Sequence, residues 1–423
     1  MSALYDIFRR STGVTTDSRT ISEGSLFFAL RGASFDGNRF AIDALHKGAS
    51  VAVIDDATVR ENAPKEFVER LFLVENTLSA LQDLAREHRE VLAIPILSVA
   101  GSNGKTTTKE LVARVLAEKY EVYATRGNLN NHIGVPLTLL AMDQTTEFGV
   151  VEMGASACGE IALLASIAKP NYGILTNIGR SHLEGFGGVE GIRRGKGELF
   201  DYLNATGGRA FVPADDEVLS AMAAERENMA VEYFAFATSN GVEHQLEGDY
   251  NLKNIAAAMS IGRYFDVDEQ RIRHAIATYT PTNNRSQRSV TDRNTLIVDC
   301  YNANPSSMRA SLESFLAEKS ELPRMCILGD MLELGEQSEI EHQNIVRRLM
   351  TSKIEKIILV GNEFEKACNK LGVRSEELGI NSKFSIFNSQ LSTFNFQLST
   401  LNSQLILLKG SNGIGLYKLI PLL

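Results

Sequence analysis

A glycine-rich loop is the part of the sequence whose residue types point most clearly to chemistry. It reads Gly-Ser-Asn-Gly-Lys-Thr-Thr at residues 101–107, directly after the apolar run Ile96–Ala100. Glycines let the backbone turn tightly and aim successive N–H groups at phosphate oxygens, and a helix that follows adds its positive end. The loop therefore predicts a nucleotide-phosphate site formed by Gly101, Ser102, Asn103, Gly104, Lys105, Thr106 and Thr107.

Two side chains of this loop have defined roles in such a site. Lys105 is expected to neutralise the β- and γ-phosphates of ATP, and the hydroxyl of Thr106 is expected to ligate Mg²⁺. The strict phosphate-loop pattern has glycine where Val99 stands, so this is a shorter variant, and a Gly-Lys-Thr string alone is common. Its position between an apolar strand and an amphipathic helix favours nucleotide binding over a chance match.

Two further candidates follow apolar runs that predict strands. Glu152 comes directly after Phe148–Val151, and His182 lies shortly after Gly173–Thr176. In open α/β sheets, ligands collect at the carboxyl ends of the strands. A carboxylate there can hold the Mg²⁺ that bridges ATP phosphates. Without the loop, Glu152 would be interpreted as a capping or surface acid and His182 as a structural histidine; with the loop, metal ligation by Glu152 is the better interpretation.

Strands that alternate with helices must position these groups, and this alternation predicts α/β domains with mostly parallel sheets covered on both faces. The predicted helix is Phe40–Lys47, and the predicted strands are Ser25–Leu30, Val51–Ile54, Ile96–Ala100, Phe148–Val151, Gly173–Thr176, Ala210–Val212, Leu296–Val298, Met325–Leu328, Ile357–Val360 and Leu405–Leu408. We predict a small α/β domain at 1–90, a central phosphate-loop domain at 91–284 and a Rossmann-like domain at 285–423.

Composition limits the class of protein. The chain has 423 residues, 44% of them hydrophobic, and a net charge of −9. An acidic chain is a poor general binder of nucleic acid or anionic membranes. The four cysteines form no CxxC pair, so neither a zinc site nor a disulfide framework is expected. Because the sequence has no signal-peptide pattern and no run near the ~20 apolar residues of a membrane span, we expect a cytoplasmic protein. We also expect a monomer, although the sequence does not define the oligomeric state.

A near-identical seven-residue repeat lies close to the C-terminus. Asn388–Phe394 reads NSQLSTF, Asn395–Leu401 reads NFQLSTL, and Asn402–Leu405 begins NSQL again. Leucines seven residues apart are typical of a coiled-coil seam. However, these units are rich in Ser, Thr and Asn, which are poor helix formers, and carry no flanking charges. We interpret the repeat as a tandem duplication in a surface loop.

Several separate strings, together with the phosphate loop, resemble the Mur ligases over nearly the whole chain. They are Thr16-Asp-Ser-Arg, Gly24-Ser-Leu-Phe-Phe-Ala-Leu-Arg-Gly, Phe35-Asp-Gly-Asn, Gly127-Asn-Leu-Asn-Asn-His-Ile-Gly-Val-Pro, Val151-Glu-Met-Gly-Ala-Ser, Thr176-Asn-Ile-Gly-Arg-Ser-His-Leu-Glu, Asp299-Cys-Tyr-Asn-Ala-Asn-Pro, Leu328-Gly-Asp-Met-Leu-Glu-Leu-Gly and Lys409-Gly-Ser. The resemblance implies an ATP-dependent ligase of cell-wall precursor synthesis. The strings that begin at Asp299 and Leu328 favour the branch that joins D-alanyl-D-alanine to UDP-N-acetylmuramoyl-tripeptide through an acyl phosphate.

The resemblance also implies roles for individual residues. It implies catalytic groups at Lys105, Glu152, His182, Lys196 and Arg285, and contacts to ATP at Asn254, Arg285 and Asp299. It implies substrate contacts at Ser18, Arg19, Asn128, Asn131, Asn302 and Asn304. Two Mg²⁺ are expected, with ligands from Thr106, Glu152, His182 and a CO₂-derived carbamate on Lys196. By default Lys196 would be an exposed lysine; a carbamate needs a neutral amine, so its surroundings must lower its pKa.

The chain departs from the family pattern at some positions. Tyr250 stands where histidine is commoner, Gly195 stands where a small helix former usually precedes the lysine, and the segment between Asp216 and Gly248 is short. Alternatives therefore stay open. They are a sister ligase that adds one amino acid to a nucleotide precursor or glutamate to a folate, a phosphate-loop NTPase or kinase without ligase activity, and a degenerate copy that only binds nucleotide.

Overall fold

The chain is described by a computed structural model that covers residues 1–373, 383–387 and 401–423. Within these residues the strands form three sheets, and each sheet takes its strands from one continuous part of the chain. The predicted α/β class with mostly parallel sheets is confirmed. The predicted domain limits stay predictions; each of them falls between the last strand of one sheet and the first strand of the next.

The first sheet has four parallel strands in the order β1-β2-β3-β4. The strands are β1 Val14–Thr15, β2 Leu26–Phe28, β3 Val51–Ile54 and β4 Leu71–Leu73, and the helices are α1 Ala3–Phe8, α2 Ala41–His46, α3 Ala57–Glu61 and α4 Thr77–Leu92. Helix α4 begins at Asn76, whose side chain accepts the N–H of Ser79. It packs on both this sheet and the helices of the central sheet, so it joins the two parts.

The central sheet has six parallel strands in the order β10-β9-β8-β5-β7-β6. The strands are β5 Ile96–Ala100, β6 Val122–Ala124, β7 Phe148–Glu152, β8 Tyr172–Leu175, β9 Arg209–Pro213 and β10 Ala230–Phe234. The helices are α5 Lys105–Leu116, α6 Gly134–Leu140, α7 Glu160–Ala168, α8 Leu183–Phe186, α9 Val189–Thr206, α10 Glu217–Ala224, α11 Asn251–Tyr264 and α12 Glu269–Ala277.

Strand β5 lies inside the central sheet because its side chains are apolar toward both faces. All five of its residues are buried. Ile96 and Ala100 point to one hydrophobic core, whereas Leu97 and Val99 point to a second core on the opposite face. A parallel strand covered on both faces needs such a continuous apolar run, and this arrangement places the loop that follows β5 at the middle of the sheet.

The third sheet has six strands in the order β11-β12-β16-β13-β14-β15, with β11 antiparallel and the others parallel. The strands are β11 Gln287–Val290, β12 Thr295–Asp299, β13 Arg324–Gly329, β14 Lys356–Val360, β15 Phe384–Phe387 and β16 Leu405–Lys409. The helices are α13 Pro305–Ala317, α14 Ser338–Met350 and α15 Asn362–Lys370.

Two unusual segments of the sequence differ in how far the structure describes them. The repeat at 388–405 lies outside them up to residue 400, so its interpretation as a surface loop stays a prediction; Leu405 belongs to β16. In the segment between Asp216 and Gly248, which is short by the family pattern, the chain forms α10 and β10. In the described ranges, no helix combines the length and the apolar character that crossing a membrane requires.

Candidate active site

Neighbouring strands of the central sheet end at the same place and bring the predicted groups together. Strand β5 pairs with β7 on one side and with β8 on the other. The glycine-rich loop follows β5, Glu152 is the last residue of β7, and Thr176 follows β8. Because these strands are parallel, their carboxyl ends share one edge, where α/β sheets bind ligands.

Residues after β8 brace the glycine-rich loop. The N–H of Ser102 donates to the carbonyl of Asn177 at 3.0 Å, and the N–H of Asn103 donates to its side-chain oxygen at 3.1 Å. The hydroxyl of Thr176 donates to the carbonyl of Asn103 at 2.6 Å. Thr176 and Asn177 belong to one of the strings that resemble the Mur ligases, but neither was predicted as a site residue. The signal was present, since polar residues directly after a buried strand lie at the ligand-binding edge.

The loop glycines are required by both conformation and space. Gly101 and Gly104 have φ of 130° and 79°. A Cβ on Gly101 would lie 2.2 Å from the hydroxyl of Thr176, and a Cβ on Gly104 would lie 2.7 Å from Oδ1 of Asn254. The same oxygen accepts a hydrogen bond from the hydroxyl of Thr108 at 3.1 Å. Asn254, predicted as an adenine-side contact, is therefore held directly against the loop.

Lys105 begins helix α5 and points back along the loop. Its Nζ donates to the carbonyls of Gly101 at 2.9 Å and Ser102 at 3.1 Å. Burial lowers the pKa of Lys105 to about 8, a shift that the charge of Glu152 opposes and that of Arg285 reinforces. Loop carbonyls are weak partners for an ammonium group, so phosphate oxygens would be preferred ligands of the same Nζ.

Two oxygens beside Lys105 have no hydrogen-bond partner within the described residues. They are Oγ1 of Thr106 and Oε2 of Glu152, and both are buried. The other carboxylate oxygen of Glu152 accepts from Nδ2 of Asn130 at 2.8 Å. Leaving a buried polar atom unpaired costs about 1–3 kcal/mol, more for a charged group. A hydroxyl and a carboxylate left open in this way fit a divalent cation that prefers oxygen ligands.

Lys196 on helix α9 is buried, with 1% of its surface exposed, so the default expectation of a solvated lysine is wrong. Its Nζ donates to the carbonyl of Ala155 at 2.7 Å and lies 4.8 Å from the ring centre of Phe186. Burial, together with the charge of Lys105, lowers the pKa of Lys196 to about 7. A Cβ on Gly195 would lie 2.5 Å from the ring of Phe186, which explains glycine at that position.

His182 lies just before helix α8 and faces the C-terminal domain. Its backbone is left-handed, with φ of 53°. Its Nδ1 is 2.5 Å from Oε2 of Glu333, an ion-pair distance, yet this nitrogen has no hydrogen bond of good geometry to any described residue. Burial lowers the pKa of His182, which favours the neutral imidazole that binds metal ions.

The C-terminal domain contributes a second set of polar groups. The guanidinium of Arg285 lies 3.8 Å from the ring centre of Tyr301. Asp299 pairs with Nζ of Lys409 at 2.8 Å. Asn304 caps helix α13 and donates to Oδ1 of Asn103 in the glycine-rich loop at 2.6 Å. The two domains are therefore in direct contact at the loop itself.

A cavity of about 980 Å³ lies between the central and C-terminal domains. Its lining contains most of the predicted site residues, namely Ser102, Asn103, Gly104, Lys105, Thr107, Asn131, Glu152, His182, Asn254, Arg285, Asp299, Asn302 and Asn304. Tyr250 also lines it and shares a hydrogen bond of 2.9 Å with Ser286. Lys196 lies behind the wall, on the buried side of Ala155. A cavity of this size suits a nucleotide with a second substrate.

Other predicted substrate contacts lie elsewhere. Ser18 and Arg19 belong to the first domain and do not line the cavity; Arg19 is exposed and pairs with Asp17 at 2.7 Å. Asn128 is exposed beside the cavity residue Asn130, whose N–H it accepts at 2.8 Å. Their contacts with substrate stay predictions. The separation agrees with a long substrate whose far end is held by the first domain.

Comparison with known protein families shows matches to three domain models along the chain. Residues 10–89 match the Mur ligase family catalytic domain, residues 99–258 match the Mur ligase middle domain, and residues 284–412 match the Mur ligase glutamate ligase domain. The chain belongs to the Mur ligase family.

Individual relatives show which ligase of the Mur family the chain is similar to. The chain is 35% identical to a UDP-N-acetylmuramoyl-tripeptide–D-alanyl-D-alanine ligase of Bacillus subtilis, over 82% of this chain and 80% of that one. It is 30% identical to the Escherichia coli protein of the same name, over 85% and 83%. Among solved structures, MurF from Acinetobacter baumannii superposes with a TM-score of 0.82 at 27% identity, covering 99% of this chain and 97% of that one. MurF from Thermotoga maritima in complex with ADP gives 0.81 at 26%, with the same coverage.

Proposed function

We propose that the protein is an ATP-dependent ligase that joins D-alanyl-D-alanine to UDP-N-acetylmuramoyl-tripeptide, acting as a monomer in the cytoplasm. One observation carries the proposal: a phosphate loop with the unpaired hydroxyl of Thr106 and the unpaired carboxylate oxygen of Glu152 lie at one cavity between two domains, with buried Lys196 directly behind its wall. Relatives at 30–35% identity that carry this name support the choice of substrates.

The reaction has two steps. The terminal carboxylate of the tripeptide attacks the γ-phosphorus of ATP, and the bond to ADP breaks to give an acyl phosphate. The amine of D-alanyl-D-alanine then attacks the acyl carbon, and the tetrahedral intermediate releases phosphate and a proton. Positioning and charge neutralisation dominate such chemistry. Lys105 and Arg285 offset the negative charge of the phosphoryl group, and closure of the C-terminal domain excludes water from the acyl phosphate.

The donor set fits Mg²⁺. We propose that Thr106 and Glu152 hold one ion and that His182 and Lys196 help to hold a second. When bound, the ions would neutralise charge on the phosphates. No cluster of three or more His, Cys, Asp or Glu side chains suited to a metal occurs in the described part of the chain. This agrees with Mg²⁺ sites that are completed by substrate phosphates.

We further propose a carbamate on Lys196. CO₂ adds to a neutral amine with loss of a proton, so the amine must be largely deprotonated near neutral pH. The burial that brings the pKa of Lys196 to about 7 supplies this condition. The carbamate would keep one N–H that can donate to the carbonyl of Ala155, and its two oxygens would supply the negative charge for the second ion.

A direct assay tests the proposed function. The purified protein is incubated with ATP, Mg²⁺, UDP-N-acetylmuramoyl-tripeptide and D-alanyl-D-alanine, and the pentapeptide is sought by mass spectrometry alongside ADP. Product should require all four components, and Lys105→Ala should form neither product. ADP release that needs neither acceptor nor amine would contradict the proposal and support a simple NTPase.

A further inference from the structure

The loop between β13 and α14 carries a glutamate in an unusual backbone conformation. Glu333 has φ of 65°, in the left-handed region that glutamate rarely adopts. Its side chain lines the cavity, and 63% of that side chain is accessible. Backbone strain of this kind persists only where the surroundings hold it, and it clusters at functional sites.

The surroundings do hold this loop in place. The carboxylate of Asp330 accepts the N–H groups of Glu363 and Phe364, each at 2.9 Å, at the start of helix α15. The N–H of Leu332 donates to the hydroxyl of Ser411 at 3.0 Å. The segment just before Glu333 is thus tied to two other elements of the C-terminal domain. The backbone just before Glu333 is therefore held in place.

The side chain of Glu333 lies beside the predicted reacting groups. The carboxylate of Glu333 reaches across from the C-terminal domain to within 2.5 Å of Nδ1 of His182. His182 in turn lies close enough to Lys105 and Lys196 for their charges to lower its pKa. The carboxylate of Glu333 therefore lies beside His182, on the C-terminal-domain side of the cavity.

The other carboxylates of the cavity each accept at least one hydrogen bond from the protein, although Oε2 of Glu152 stays open toward the proposed Mg²⁺. Their donors are Nδ2 of Asn130 for Glu152 at 2.8 Å, the N–H of Ser156 for Glu160 at 2.6 Å, the N–H of Leu219 for Asp216 at 3.0 Å, and Nζ of Lys409 for Asp299 at 2.8 Å. Apart from Glu152, which is proposed to hold Mg²⁺, Glu333 is the carboxylate among the described cavity residues that has no backbone, lysine or arginine donor; its partner is His182.

We infer that Glu333 binds the ammonium end of the incoming D-alanyl-D-alanine and directs it to the acyl carbon. The inference rests on the proposed function and adds a residue that selects the second substrate. A dipeptide amine arrives charged, and the cavity, which also contains Lys105, Lys253 and Arg285, offers it few carboxylates that are not already engaged. A charge-assisted hydrogen bond to Glu333 would attract the amine.

The test separates binding of the amine from formation of the acyl phosphate. In Glu333→Gln, the KM for D-alanyl-D-alanine should rise by about 10-fold or more, while the KM values for ATP and the tripeptide change less than about threefold. Hydroxylamine is uncharged at pH 7.5 and needs no such contact. Hydroxamate formation from the acyl phosphate should therefore proceed near the wild-type rate in Glu333→Gln, and Glu333→Asp, which tolerates a left-handed backbone better, should recover part of the affinity for D-alanyl-D-alanine.

Glu336→Gln is the matched control, because Glu336 is exposed on the same segment and does not line the cavity. An unchanged KM for D-alanyl-D-alanine in Glu333→Gln would overturn the inference. An equal rise in all three KM values would overturn it too and assign Glu333 to holding the domains together. If the wild-type protein forms neither pentapeptide nor hydroxamate, the proposed function itself fails, which is a distinct result.

Discussion

Lys196 shows how far a side chain's surroundings can change its chemistry. In the sequence it is one lysine among 43 basic residues, and in the structure it is buried between the carbonyl of Ala155 and the ring of Phe186. An ammonium ion in this place loses its hydration shell and gains only one carbonyl and one aromatic ring as partners. The neutral amine is therefore favoured.

The proposed carbamate makes a prediction that a buried structural lysine does not. Lys196→Ala should lose most ligase activity, and acetate or formate should partly restore it, with saturation, because a small carboxylate can occupy the vacated space. Glu152→Ala should lose activity without any such rescue, because its missing ligand is fixed at the end of β7. Full activity in Lys196→Ala, or a loss that no small acid reverses, would count against the carbamate; the measurement is pentapeptide formation against acid concentration.

At the residue scale, local spacing found the groups within one loop, and position after an apolar strand found Glu152 and His182, but the residues that brace the loop were missed. Residues 101–107 form one turn whose function depends on their own order. By contrast, Thr176 and Asn177 brace that loop from a strand about 75 positions later in sequence, and the separation is set by sheet pairing. Glu333 lies still further along the chain. The number of residues between them does not reveal such contacts; the one available signal for Thr176 and Asn177 was their position directly after a buried strand.

At the scale of elements, the sequence predicted the interior strands and missed the edges. The missed strands are β1, β4, β6, β10, β11 and β15, which are the two edges of each sheet. Interior parallel strands need continuous apolar runs, and these are easy to recognise. Edge strands are two to five residues long here and mostly part-exposed, so their composition does not differ from that of loops.

Helix α9 offers a matched pair of glycine substitutions. Alanine is favoured over glycine in a helix interior by about 1 kcal/mol. At Gly197 the nearest atoms to a new Cβ are the ends of the Arg226 and Met222 side chains, 3.1 and 3.2 Å away, which need to shift by only a few tenths of an ångström, so Gly197→Ala should raise the free energy of unfolding by up to that amount. At Gly195 the new Cβ would lie 2.5 Å from the ring of Phe186, so Gly195→Ala should gain nothing and should lower activity by displacing the ring beside Lys196. Urea denaturation compares the two; equal stabilisation would show that the ring moves freely.

A buried histidine at the contact between helices α1 and α4 predicts that the folded protein loses stability in acid. His88 is buried, with its ring nitrogens 3.1 Å from the hydroxyl of Tyr5 and 2.8 Å from the carbonyl of Met142. Burial lowers the pKa of His88 below its ordinary value near 6.5. Below that pH the unfolded chain takes up a proton that the folded chain resists, so the free energy of unfolding should fall as pH decreases, by at most about 1.4 kcal/mol per pH unit. His88→Gln should lose this part of the pH dependence, whereas the exposed control His274→Gln should follow the wild type between pH 5 and 7.5. If the free energy of unfolding depends on pH in the same way in His88→Gln and in the wild type, His88 is not the source of the acid sensitivity.

At the scale of the whole molecule, the domains are held closed by a few polar contacts around the cavity. Glu341, with 2% of its side chain exposed, accepts a charged hydrogen bond of 2.5 Å from Arg180 of the central domain. Arg180→Ala would leave this carboxylate buried and unpaired in the closed state, which is costly. We expect a several-fold rise in ADP released per pentapeptide formed, because looser closure admits water to the acyl phosphate. Arg193→Ala, whose partner Glu225 lies in the same domain, is the control. An unchanged ratio in Arg180→Ala would show that this pair does not control closure.

The strand order of the third sheet has a consequence for how the chain is made. Strand β16 lies between β12 and β13, although more than 70 residues separate Leu405 from the end of β13 at Gly329. During synthesis, β12 and β13 emerge long before the strand that separates them, and each then offers a bare hydrogen-bonding edge. Unpaired edges of this kind attract other chains. On the ribosome the vulnerable interval is therefore the one before residue 409 appears, and a chaperone that shields β12 and β13 during that time should raise the yield of folded protein more than one that acts on the phosphate-loop domain.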